Sequence, residues 1–65
     1  MKVYEIISRR LVSGAILHDY YLDTRFLEVT SNVMLPKDVL ERTRHYSSEI
    51  QKNPEINQIK SEIEI

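Results

Sequence analysis

The chain has 65 residues, enough for one domain spanning 1–65, and a domain of this size buries only about 60% of the surface its unfolded chain exposes. Cysteine is absent, which excludes disulfides and thiolate metal sites. Nine basic and ten acidic side chains leave a formal net charge of −1, a balance that argues against strong attraction to nucleic acid or anionic lipid.

Hydrophobic residues make up 42% and charged residues 29%, as in ordinary folded soluble chains. Small scaffolds without disulfides gain stability by binding metal or by oligomerising. A homo-oligomer is therefore expected on physical grounds. No apolar run approaches the ~20 residues of a membrane-spanning helix, so no membrane partner is expected. The stretch Met1 to Glu5 lacks the apolar region of a signal peptide, and the expected location is cytoplasmic.

Met1 to Val12 is rich in β-branched and aromatic residues and reads as a strand. Apolar residues occupy both parities, as in a strand covered on both sides. Ser13-Gly14 holds the single glycine of the chain and reads as a turn. Ala15 to Val29 reads as a second strand, with a helix as the rival reading. Its apolar parity shifts after Phe26, which a β-bulge or a tight bend near Asp23-Thr24-Arg25 explains.

A two-residue loop at Ser13-Gly14 pairs Leu11 with Ile16, Arg9 with His18 and Ile7 with Tyr20. Opposite residues share a face. The expected core face is then Val3, Ile7, Leu11, Ile16, Tyr20, Leu22 and Phe26, with Glu5, Arg9 and His18 as polar intruders. The other face carries Tyr4, Ile6, Val12, Leu17 and Tyr21 among polar residues. A one-residue slip would exchange the faces.

Ser31 to Leu35 is a connection. Pro36 opens the clearest helix, because proline suits a first helical position where its missing N–H has no partner. Asp38 meets the positive end of the helix dipole. Met34 and Val39 have the spacing of a hydrophobic staple. Leu35 is a poor cap, which leaves a start near Asn32 as the alternative. Val39, Leu40, Thr43, Tyr46 and Ile50 form the apolar stripe. Asn53 and Pro54 end the helix. Glu55 to Ile65 alternates Ile59, Ser61, Ile63 and Ile65 against Lys60, Glu62 and Glu64, and reads as a final strand beside the hairpin, with a helix on Ile56, Ile59 and Ile63 as the rival reading.

The expected fold is α+β: a small antiparallel sheet in ββαβ order with one amphipathic helix packed on one face. No cysteine nucleophile, phosphate loop or HExxH pattern is present, and no enzyme activity, cofactor or metal is expected. His18 and His45 are the only histidines; a metal site needs ligands that converge on one point, but on a strand His18 points away from Asp19 and Asp23. No sequence motif links a serine to either histidine.

A protein partner is the favoured reading. Tyr4, Ile6, Leu17 and Tyr21 would make an apolar patch rimmed by Arg10 and Arg25, and tyrosine and arginine are enriched at interface hot spots. The competing reading has the C-terminal segment cover this face. The expected function is a non-catalytic, self-associating protein-binding module: an adaptor, inhibitor or regulator. The alternative is a small nucleic-acid-binding regulator, with Arg9, Arg10, Arg25, Arg42 and Arg44 on phosphates and Tyr4, Tyr20 and Tyr21 stacking on bases.

Overall fold

A computed structural model describes residues 1–65, apart from the side chain of Asn32. The elements are strand β1 (Val3–Arg10), β2 (Ile16–Leu22), β3 (Arg25–Leu27), a 3-10 turn (Asn32–Met34), helix α1 (Lys37–Lys52) and β4 (Gln58–Glu64). The strands form an antiparallel sheet in the order β3-β2-β1-β4. The class is α+β, but three strands precede the helix instead of two. The expected second strand stops at Leu22, turns at Asp23-Thr24 and returns as β3.

The hairpin register is one residue away from the expected one. Leu11 donates its N–H to the Ala15 carbonyl (2.8 Å), and Gly14 donates to Leu11 (2.9 Å). Gly14 has φ 91°, the left-handed region that glycine enters without a Cβ clash. The loop is thus the three residues Val12-Ser13-Gly14, a tight turn closed by a left-handed glycine. Adding one loop residue pairs Arg10 with Ile16, Ser8 with His18, Ile6 with Tyr20 and Tyr4 with Leu22. The faces of β1 exchange as a result.

The helix-facing side of the sheet therefore carries Tyr4, Ile6, Ser8, His18, Tyr20, Leu22, Ile59 and Ile63. Against it α1 sets Val39, Tyr46 and Ile50, with Leu40 partly buried. Ile6, Val39 and Ile50 are fully shielded from solvent, and each such side chain contributes about 1.5–3 kcal/mol. Val3 and Ile7, expected in the core, lie on the opposite face half-buried. Leu11 and Phe26, expected there too, are exposed.

The helix follows its predicted stripe, with its start moved by one residue. Pro36 is the cap itself (φ −58°, ψ 151°) and makes no side-chain capping bond. The staple position passes from Met34, which is exposed, to Leu35, which is buried in the core cluster. The alternative start near Asn32 does not hold: residues 32–34 form a separate 3-10 turn, and the helix begins at Lys37. At the far end Asn53 donates its N–H to Glu49 (3.1 Å). The final segment adds β4 beside β1 and leaves the outer face of the sheet bare among the described residues.

Candidate functional site

The register places Val3, Glu5, Ile7, Arg9, Leu17, Asp19, Tyr21, Phe26, Lys60 and Glu62 on the outer face. A sheet face turned to water is normally polar. This one keeps apolar residues among its charges. Phe26 is 58% exposed and Leu17 38%. Tyr21 meets Phe26 edge-on, with ring centroids 5.5 Å apart and planes at 63°, an arrangement aromatic quadrupoles favour.

Charge on this face is mostly acidic. Its two cations are already engaged: Arg9 lies 3.9 Å from Asp19, and Lys60 lies 3.7 Å from Glu5. Exposed pairs of this kind add little stability, but they leave Glu62 and Glu64 as uncompensated charge. One end of the face is concave. Val3, Glu5, Tyr21, Asp23, Thr24 and Glu62 line a depression of ≈ 560 Å³.

The turn that closes this depression is backbone-strained. Asp23 and Thr24 both have positive φ, 50° and 75°. Such values suit Asn-Gly and are unusual for a β-branched residue. Two bonds clamp the turn to the start of β1. Asp23 donates its N–H to the Val3 carbonyl (2.9 Å), and Val3 donates its N–H to Asp23 Oδ1 (3.0 Å). Strain of this kind persists only where the surroundings impose it, and it concentrates at functional sites.

The expected patch does not assemble on one surface. Tyr4 and Ile6 are buried in the core. Arg10 lies on the helix side, where its guanidinium donates to the carbonyls of Ile50, Asn53 and Pro54. It closes the C-terminus of α1, whose last carbonyls otherwise lack partners. Arg25 is exposed and shares the face of its partner Leu22. Leu17 and Tyr21 remain together on the outer face. Val3, Glu5 and Phe26, expected on the core face, join them there with Asp23 and Glu62. Moving the register by one residue would have revealed this set.

The same slip hid a Ser–His pair. Ser8 is 0% exposed, and its Oγ lies 2.7 Å from His18 Nδ1. Burial pushes the His18 imidazole below its ordinary range, and the Asp19 charge pulls weakly the other way. Ser8 Oγ and His18 Nδ1 share one hydrogen bond, whose donor is set by the tautomer of the ring. A nucleophile must be reachable and its base oriented by a third group. Ser8 is sealed under α1, and Asp19 sits on the opposite face of the strand. The pair acts as a satisfied core hydrogen bond.

Other chemistry is thinly represented among the described residues. No three His, Asp or Glu side chains converge as a metal site requires. No helix is long and apolar enough to cross a membrane. Of the residues named for nucleic-acid binding, Tyr4 and Tyr20 are core, Arg10 holds the helix end and Arg9 faces Asp19. The chain matches no protein-family model, no curated protein and no solved structure.

Proposed function

We propose that this chain is a non-catalytic protein-binding module, an adaptor, inhibitor or regulator, that takes a basic segment of another protein on its outer sheet face. The observation that carries the reading is the Tyr21–Phe26 pair, Tyr21 half-buried and Phe26 exposed, on the face that carries the carboxylates of Glu5, Asp23 and Glu62. Exposed aromatic surface rimmed by polar groups marks interaction sites. The acidic rim favours a lysine or arginine, whose stem would pack on Tyr21 while its charge meets the carboxylates. The same acidic face opposes phosphate backbones, so a nucleic-acid partner has less support.

A photo-cross-linking residue at Phe26, compared with one at the exposed helix position Arg44, tests the reading in cells. The expected result is a discrete protein adduct from position 26 alone, lost when Tyr21→Ser is added. Adducts of equal yield from both positions, or none from position 26, would overturn it.

A further inference from the structure

Strand β4 has one neighbour, β1, and its other edge is open among the described residues. It runs for seven residues, whereas β3 at the opposite edge runs for three. Lys2 and Ile65 exchange both backbone bonds (3.0 and 2.9 Å), and Arg10 donates to Asn57 (2.8 Å). Bonded pairs recur at every second residue of an antiparallel ladder. Ile59, Ser61 and Ile63 therefore turn their backbone groups toward β1. Gln58, Lys60, Glu62 and Glu64 turn theirs outward.

Proteins normally blunt such an edge with proline, a bulge or charge. β4 has neither proline nor bulge. Its charges are arranged in a self-complementary way. Two identical antiparallel strands pair symmetrically about one residue. Centred on Ser61, all seven residues of β4 find partners. Lys60 of each copy then faces Glu62 of the other, Ile59 faces Ile63, and Gln58 faces Glu64. Centring on Lys60 or on Glu62 sets that residue against its own like charge, and centring on Ile63 sets Glu62 against Glu64. Centring on Ile59 leaves half the strand unpaired.

We propose that β4 pairs with β4 of a second copy of this chain, antiparallel and centred on Ser61, so that the two sheets become one. Ile59 and Ile63, half-buried on the helix side, would cover each other across the two-fold axis. Lys60, already 3.7 Å from Glu5, would lie between Glu5 of its own chain and Glu62 of the other. The pairing uses the sheet edge, and it shares Glu62 with the depression on the outer face.

Charge exchange tests it. Lys60→Glu sets glutamates opposite each other twice per dimer, and Glu62→Lys does the same with lysines. Each variant alone should associate at least about tenfold more weakly than the parent. Mixed in equal amounts they should form a heterodimer, because every pair is again opposite in sign. Sedimentation from about 1 μM to about 1 mM reads the masses, and circular dichroism reports folding of each variant.

Hydrogen exchange on the parent chain gives a measurement that needs no variant. The amides of Lys60 and Glu62 should gain protection as concentration rises, while that of Ser61, bonded within the chain, stays protected throughout. A parent chain that is monomeric throughout would overturn the proposal. So would single variants that dimerise as tightly as the parent, or Lys60 and Glu62 amides that stay unprotected. A foreign strand on this edge would appear as protection only in lysate, which also overturns pairing between copies.

Discussion

Arg10, the last residue of β1, donates its guanidinium to the carbonyl of Ile50 in the final turn of α1. A second donor reaches Pro54 beyond the helix (3.1 Å). One side chain thus ties the end of the central strand to the end of the helix. The positive charge also meets the negative end of the helix dipole. Hydrogen bonds from a charged donor are stronger than neutral ones.

Arg10→Ala should therefore destabilise the domain by about 1–2 kcal/mol, since a charged hydrogen bond is worth roughly 1.5–3 kcal/mol and part of this one is wet. Arg10→Lys should recover part of the loss, because a single ammonium lacks the fork that reaches several carbonyls. Urea unfolding midpoints of the three proteins measure both effects. An unchanged midpoint in Arg10→Ala would mean that water caps the helix equally well.

His18 gives the fold a dependence on pH. Its folded imidazole titrates below the ordinary value because of burial, whereas the unfolded chain takes up a proton near pH ~6.5. Above that pH both states are neutral, and the contribution of His18 is fully present. As pH falls through the lowered folded value, the unfolded state binds the proton first and stability is lost. The expected outcome is a steeper loss of stability between pH 7.5 and 5 in the parent than in His18→Asn. Equal slopes would show that other groups carry the acid sensitivity.

The helix and the final strand were legible from their apolar periods, although Ile56, Ile59 and Ile63 also fit helical spacing. Val39, Thr43, Tyr46 and Ile50 recur at helical spacing, and Ile59, Ser61 and Ile63 at strand spacing. The hairpin was legible as a hairpin but not in register. Ser13-Gly14 fits a two-residue loop by count. Gly14 instead takes the left-handed position at the end of a three-residue loop. β1 has apolar residues at both parities, Tyr4 and Ile6 against Val3 and Ile7, so its own sequence could not name its buried side. The candidate site inherited that ambiguity. Tyr4 and Tyr21, grouped on one patch by the shorter loop, lie on opposite faces.

Those two tyrosines separate core from surface. Tyr4 is buried in the main cluster, and Tyr21 is half-buried on the open face. Tyr4→Ser should cost about 3–5 kcal/mol, as large-to-small changes of buried aromatic residues do, enough to unfold most of a marginal domain. Tyr21→Ser should cost about 1 kcal/mol or less and leave a folded protein. Thermal melts of both variants decide the matter. A folded Tyr4→Ser beside an unfolded Tyr21→Ser would reverse the assignment of the faces.

Thr24 connects stability to the proposed site. It holds φ 75° in a turn whose first central residue, Asp23, is also left-handed. A non-glycine residue so placed costs roughly 1–3 kcal/mol, and a β-branched one gains nothing local in return. Thr24→Gly removes that strain. It adds back about 0.5–1 kcal/mol of glycine's unfolded-state entropy, so the net gain should be about 1 kcal/mol. The same change strips a side chain from the depression beside Tyr21. The variant should therefore melt higher yet give less adduct from the Phe26 cross-linker. A higher melting temperature with full adduct yield would make Thr24 a turn residue without a part in binding. A lower melting temperature would mean that contacts of its side chain outweigh the strain of its backbone.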